Sequence, residues 1–155
     1  MTEATQTPQL EQSIDIAAPP VAVWALVTDL PRMAQWSPQV LKTFVRGGVV
    51  RQGATMVNLN RRGPLVWPTQ SQVVRFEPHR DFAFRIKENW SIWSFELEPT
   101  ETGTRLTQRR ETPRGVSGIS TFLTAKVLGG KETFEAELLE GMRQTLQRIK
   151  AEVEG

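Results

Sequence analysis

Two residues of opposite charge are the best candidates for chemistry in this sequence, and each ends an otherwise apolar alternating stretch: Glu88 and Arg110. Alternate residues of a β-strand share one face, so inward-pointing apolar faces would carry both charges to the interior. A buried charge persists only when it is paired, which predicts a salt bridge between them. The arginine could also hold a carboxylate or enolate oxygen of a ligand. We take Glu88 and Arg110, with Gln108 and Ser91, as the candidate catalytic groups, and a rim salt bridge without a ligand role as the simpler alternative.

Residue types that usually serve catalysis or metal binding are scarce. The chain has no cysteine and no tyrosine, and its single histidine, His79, lies between Pro78 and Arg80 in a turn. Disulfides, thiolate zinc sites and histidine clusters are therefore excluded. We expect no metal and no cofactor, and we interpret His79 as an exposed turn residue.

The composition is typical of a soluble globular protein. Of the 155 residues, 39% are hydrophobic and 23% are charged, and the formal net charge of +2 is too small to indicate nucleic-acid binding. No apolar run approaches the roughly 18 residues of a membrane span, so no stable membrane insertion is expected. An arginine cluster could attract an anionic membrane surface, but strand alternation would divide it between two faces, which favours plain solvation: Arg61, Arg62, Arg105, Arg109, Arg110 and Arg114.

The chain start is polar and contains no secretory signal, and cysteine is absent, which together predict a cytoplasmic protein. We expect residues 1–9 to be a disordered tail and residues 10–155 to form one domain, as a monomer or homodimer.

The periodicity of the chain predicts the elements that position these groups. Leu10–Ala17 alternates as a half-buried strand, Pro19 and Pro20 end it, and two short helices follow. From Val40 to Pro113 the period is two, and short turns imply antiparallel neighbours. Six further strands are predicted, near Val40–Arg46, Ala54–Arg61, Leu65–Glu77, Asp81–Glu88, Trp90–Leu97 and Thr104–Thr112.

A long amphipathic helix is predicted to close the chain, from about Lys131 to Val153. Apolar residues recur along it every three or four positions and form one stripe from Phe134 onward. The preceding segment, Arg114–Gly130, is apolar between glycines, and we expect a short helix there that acts as a lid.

Four local motifs carry a resemblance to a known superfamily: Ile14–Pro20 with Trp24, Asp29–Pro38, Phe76–Arg80 and Gly103–Gln108. With the order of the elements, they resemble the START-like or SRPBCC superfamily, which includes polyketide cyclase/dehydrase and lipid-transport proteins. The resemblance implies an α+β helix-grip fold, in which a curved seven-stranded antiparallel sheet wraps around the C-terminal helix, with two short helices after the first strand. It also implies an internal cavity for an apolar ligand.

The more apolar face of each predicted strand is assigned to this cavity, because side chains alternate across a sheet. With the helix stripe, the lid and two tryptophans, the predicted ligand-binding residues are Trp36, Val57, Leu59, Trp67, Phe82, Phe84, Ile86, Trp93, Phe95, Leu106, Gln108, Phe122, Phe134, Leu138 and Met142. For any single aliphatic residue among them, an ordinary solid core is the alternative.

Three functions are compatible with this sequence. The first is non-catalytic binding or carriage of a hydrophobic small molecule such as a lipid, polyketide or quinone, which the scarcity of catalytic residue types favours. The second is an aromatase/cyclase-like enzyme acting on a polyketide, which needs groups that move protons. The third is a stress-response or toxin-like regulatory module, which predicts an exposed apolar patch.

Overall fold

The computed structural model describes residues 9–112 and 131–155, and it contains seven strands and three α-helices in these ranges. Strand β1 (Leu10–Ile16) precedes helix α1 (Pro20–Val27), a 3₁₀ turn (Leu30–Arg32) and helix α2 (Met33–Trp36). The remaining elements are β2 (Val40–Val45), a second 3₁₀ turn (Arg46–Gly48), β3 (Thr55–Arg62), β4 (Leu65–Glu77), β5 (Asp81–Ile86), β6 (Ile92–Thr100), β7 (Gly103–Glu111) and α3 (Lys131–Glu154). Most of the predicted tail, the predicted lid Arg114–Gly130 and Phe122 lie outside the described residues.

All seven strands form one antiparallel sheet in the order β1-β7-β6-β5-β4-β3-β2. Strands β2 to β7 are a meander; short turns join β3 to β7, as the spacing predicts, and residues 46–54 join β2 to β3. Strand β1 pairs with β7 and so lies at the opposite edge of the sheet from β2. Helices α1 and α2 connect β1 to β2 in the chain. The predicted α+β, helix-grip-like architecture is confirmed.

Helix α3 packs on one face of the sheet through its apolar stripe. Leu138, Met142, Leu146 and Ile149 are all buried, at the three- and four-residue spacing that places them on one side of a helix. Leu146 and Ile149 belong to the main core, which also contains Phe82, Phe95 and Leu106 of the sheet. Leu138 and Met142 form a second cluster with Leu10 of β1, beside Phe134 and Trp93.

The start of β7 is a point of close backbone contact with the end of β1 and the residues that follow it. Gly103 has a φ of 156°, and a Cβ built on it would lie 2.1 Å from the carbonyl oxygen of Ile16. The next residue, Thr104, donates its hydroxyl to the carbonyl of Ala18 at 2.7 Å. Glycine at position 103 therefore lets β7 lie against the end of β1.

An ion pair joins the end of β3 to α3. Arg62 donates from Nε to Oε1 of Glu137 at 2.6 Å, and its Nη2 donates to the second carboxylate oxygen. The hydrogen bond from Arg62 lowers the pKa of Glu137 below its ordinary value; partial burial opposes this shift, and the arginine charge reinforces it. The same hydrogen bond raises the pKa of Arg62.

Replacement of Gly103 by alanine should destabilise the protein by about 2–4 kcal/mol, because the methyl group would meet backbone atoms that cannot move independently. Gly141→Ala is the matched control. Its Cβ would meet the side chain of Gln39, 2.6 Å from Nε2, and that side chain can move away. Chemical denaturation of both variants measures the difference, and equal losses of stability would contradict the steric explanation.

Replacement of Glu137 by glutamine should reduce the free energy of unfolding by about 1 kcal/mol at neutral pH, a small value because both side chains are partly exposed and screened by solvent. When folding lowers the pKa of a carboxylate, the ionised group stabilises the protein at any pH above its ordinary pKa of 4.5. This stabilisation is lost as the pH falls through the lowered pKa. The difference between wild type and Glu137→Gln should therefore shrink below pH 4.5. A double-mutant cycle with Arg62→Gln isolates the pair, and a coupling energy that does not change with pH would contradict this account.

Candidate functional site

A pocket of about 160 Å³ lies between the inner face of the sheet and the first half of α3. Strands β3 to β7 form one side of it, and residues 134–145 of α3 form the other. Ten of the residues singled out from the sequence line it: Trp67, Phe84, Ile86, Trp93, Phe95, Gln108, Arg110, Phe134, Leu138 and Met142.

Three predicted pocket residues are buried in the core instead of lining the pocket: Trp36, Phe82 and Leu106. Phe82 makes an edge-to-face contact with Trp24 of α1, with ring centroids 6.1 Å apart. The sequence identified these positions as inward-facing, but helices α1 and α3 fill the space next to them with side chains. They are therefore core residues.

The prediction for β3 is wrong, because its more apolar face points away from α3. Val57 and Leu59 lie on the outer face, where Leu59 is 38% exposed. The inner face carries the polar residues Asn58 and Asn60, which line the pocket. Hydrophobicity alone assigned the wrong face of β3 to the pocket, because a shift of one residue along a strand exchanges its two faces.

The inner face of β3 can be polar because its side chains form hydrogen bonds with residues of the neighbouring strands β2 and β4. Thr43 donates to Oδ1 of Asn58 at 2.8 Å, and Asn58 donates through Nδ2 to the hydroxyl of Ser71 at 3.1 Å. Asn60 donates to the hydroxyl of Thr69 at 2.9 Å. Buried polar groups with partners are tolerated, and this cross-strand network adds polar pocket residues that hydrophobic patterning missed.

The predicted salt bridge between Glu88 and Arg110 does not form. Glu88 is exposed beyond the end of β5, and its carboxylate accepts a hydrogen bond from the backbone N–H of Gln70 at 2.9 Å. Ser91 is buried outside the pocket lining and donates its hydroxyl to Oδ1 of Asn89 at 2.7 Å. Of the candidate catalytic groups, only Arg110 and Gln108 remain in the pocket.

Arg110 brings a positive charge into the pocket with only 7% of its surface exposed. Its guanidinium carbon lies 6.0 Å from the centroid of the Trp93 ring, within reach of a cation–π contact. No hydrogen bond or ion pair joins Arg110 to another residue within 9–112 or 131–155. Burial lowers the pKa of Arg110, and the negative charge of Glu135 opposes this shift. An arginine nevertheless stays protonated at neutral pH.

Gln108 lies two residues before Arg110 on β7, so both side chains lie on the inner face. The Oε1 atom of Gln108 is buried and has no hydrogen-bond partner within the described part of the chain. The outward-facing neighbour, Arg109, instead pairs with Glu11 and Glu96 on adjacent strands. The inner side of β7 thus offers an amide and a guanidinium with unused hydrogen-bonding capacity.

Metal-binding geometry is not found in the described ranges, where no three side chains of histidine, cysteine, aspartate or glutamate come together. His79 is exposed in the β4–β5 turn, with a φ of 69°. Within these same ranges, no helix is both long and apolar enough to cross a membrane.

Comparison with known proteins identifies the family. Residues 7–154 match the family model described as polyketide cyclase/dehydrase and lipid transport. The solution structure of a polyketide-cyclase-like protein from Corynebacterium glutamicum is 30% identical in sequence, with a TM-score of 0.66 over 94% of this chain and 91% of that chain. No curated protein matches the sequence.

More distant structures share the fold. The Zhui aromatase/cyclase from a Streptomyces species is 17% identical, with a TM-score of 0.75 over 95% of this chain and 93% of that chain. The di-domain aromatase/cyclase StfQ of the steffimycin pathway is 14% identical, with a TM-score of 0.76 over 94% of this chain and 50% of that chain. On the family match and the 30% identical relative, this chain belongs to the polyketide cyclase/dehydrase and lipid transport family.

Proposed function

We propose that this protein binds and carries a hydrophobic small molecule with a carboxylate or similar oxygen-bearing head group. The body of the ligand occupies the pocket between the sheet and α3, and its head group contacts Arg110. The observation that carries the proposal is the buried guanidinium of Arg110, which faces an otherwise largely apolar pocket and has no ion pair with any described residue.

The energetics of Arg110 support an anionic head group. Removing a guanidinium from water is unfavourable unless hydrogen bonds and an opposite charge replace the lost hydration. Glu135 is near enough to act on the pKa of Arg110, but it forms no ion pair with it. A ligand carboxylate would provide two acceptor oxygens in the planar arrangement that a guanidinium matches.

The size of the pocket supports a small ligand body. Its volume of about 160 Å³ is close to the roughly 150 Å³ of an engineered apolar cavity that takes up benzene. Pockets for drug-sized ligands are larger, roughly 300–1,000 Å³. A single ring or a short alkyl chain therefore suits the pocket better than a fused multi-ring polyketide.

An aromatase/cyclase-like activity is the second candidate, favoured by the polar groups of Asn58, Asn60 and Gln108 in the pocket and by the shared fold. Such chemistry needs a group that accepts a proton. The carboxylate that lines the described pocket, Glu137, is engaged by Arg62, which lowers its pKa and makes it a weak base. Product analysis after incubation with a poly-β-keto thioester mimic tests this activity, and a cyclised product absent from a protein-free control would support it.

Replacement of Arg110 by methionine should weaken octanoate binding by at least about tenfold, because a hydrogen bond to a charged group contributes roughly 1.5 kcal/mol or more. Binding of octan-1-ol, which has the same chain length and no charge, should change far less. Calorimetric titration of both probes measures this. The variant should also be more stable than the wild type without ligand by about 1–2 kcal/mol, because an unpaired buried charge has been removed.

Arg109→Met is the matched control, since Arg109 is the adjacent residue of β7 and faces outward between two carboxylates. Octanoate should bind this variant as it binds the wild type. Equal octanoate affinity for the wild type and Arg110→Met would contradict the assigned role of Arg110. Failure of both probes to bind the wild type would count against the pocket as a site for short-chain ligands.

A further inference from the structure

The acidic residues of this chain are absent from one long segment. Between residues 30 and 76 there is no aspartate or glutamate, although the chain contains 17 acidic residues in total. The same segment contains seven basic residues, namely Arg32, Lys42, Arg46, Arg51, Arg61, Arg62 and Arg75. It supplies strands β2, β3 and β4 at one edge of the sheet. This part of the molecule is therefore strongly basic.

The strand register brings basic and apolar side chains together on the outer face of these strands. Lys42 lies opposite Leu59, and Arg61 lies opposite Val66. Phe44, two residues after Lys42, is on the same outer side of β2 and is 62% exposed. Val66 is 51% exposed. We call the set of Lys42, Phe44, Arg46, Leu59, Arg61 and Val66 the basic face.

The charges of the basic face are largely uncompensated by the described residues. Lys42 and Arg61 form no ion pair with them, and Arg46 donates to the amide oxygen of Gln70 at 3.5 Å. The carboxylate of Glu88 accepts a hydrogen bond from the backbone N–H of Gln70 on β4. Three basic residues of the segment that lie outside this face behave differently, since Arg32, Arg62 and Arg75 are paired with Glu152, Glu137 and Asp81.

We propose that the basic face docks this protein on an anionic lipid bilayer. Phe44, Leu59 and Val66 would enter the headgroup region, while Lys42, Arg46 and Arg61 would contact anionic headgroups. Exposed apolar side chains set among cations fit such a surface, because each cation near an anionic membrane adds attraction and each apolar side chain leaves water. A dry protein interface would instead be depleted of charge at its centre.

The basic face lies on the outer side of the sheet and the pocket on the inner side, and the two meet at the end of β3, where Arg61 also lines the pocket. Trp67, which follows Val66 on β4, lines the pocket from the inner side. The combination of charge and exposed apolar side chains on this face therefore favours a membrane over another partner.

Co-sedimentation with vesicles tests the proposal. The wild type should bind vesicles made of equal parts phosphatidylcholine and phosphatidylserine and should bind pure phosphatidylcholine vesicles much less. The double variant Lys42→Gln/Arg46→Gln should bind the mixed vesicles more weakly, by about fivefold for each charge removed. Phe44→Ser should weaken binding severalfold without changing the net charge, because an apolar anchor is lost.

Matched controls separate the basic face from net charge and general hydrophobicity. Arg80→Gln/Arg105→Gln removes two exposed charges elsewhere, one in the β4–β5 turn and one on β7, and Val21→Ser removes an apolar side chain on α1 that is 57% exposed. Both should bind mixed vesicles as the wild type does. If the Arg80/Arg105 pair weakens binding as much as the Lys42/Arg46 pair, only net charge matters and the proposed face is wrong.

Two further measurements keep the proposal falsifiable. Vesicle binding should weaken steeply as sodium chloride is raised, and binding that is absent or insensitive to salt would overturn it. A dimer in sedimentation equilibrium that Phe44→Ser dissociates would instead assign this face to a second copy of the chain. The outcome is separable from ligand binding, since Arg110→Met should retain vesicle binding and Lys42→Gln/Arg46→Gln should retain octanoate binding in solution.

Discussion

The packing of α3 against the sheet is the contact on which both the core and the pocket depend. At one end of the helix stripe, Leu146 and Ile149 are fully packed against sheet residues and exclude water. At the other end, Leu138 and Met142 lie over strands whose inner side chains leave space, and that space is the pocket. One amphipathic stripe therefore stabilises the fold and also forms a wall of the candidate site.

The polar groups inside the molecule fall into two kinds with different consequences. Asn58 and Asn60 are satisfied by hydroxyls and a carbonyl on neighbouring strands, so they add rigidity with little demand for a ligand. Arg110 and Gln108 have unused hydrogen-bonding capacity toward the described residues. This difference marks the inner side of β7, and not β3, as the place where the head group of a ligand would be held.

The sequence predicted the elements well because strand alternation, turn residues and helix periodicity are local properties. It predicted the site less well because the site depends on which strand faces touch. The sequence assigned Leu59 to the inner face of β3 and Asn58 to the outer face, the reverse of the structure. Apolar content is a weak guide to the inner face where polar side chains there form hydrogen bonds with one another. Glu88 and Arg110 were paired on the basis of their positions in their strands, but the sheet register and the turn after β5 separate them. The sequence correctly predicted that Trp36, Phe82 and Leu106 point inward. Only the three-dimensional packing determines whether an inward side chain belongs to the core or lines the pocket.

The most direct test of the central claim is to observe the Arg110 side chain while a ligand binds. Two-dimensional NMR of arginine Nε–Hε groups, assigned by comparison with Arg110→Met, can follow a titration with octanoate. The account predicts a saturable shift of the Arg110 resonance, with the outward-facing Arg109 unchanged. Saturable binding of octanoate that leaves the Arg110 resonance where it was would contradict the claim that this guanidinium holds the ligand head group.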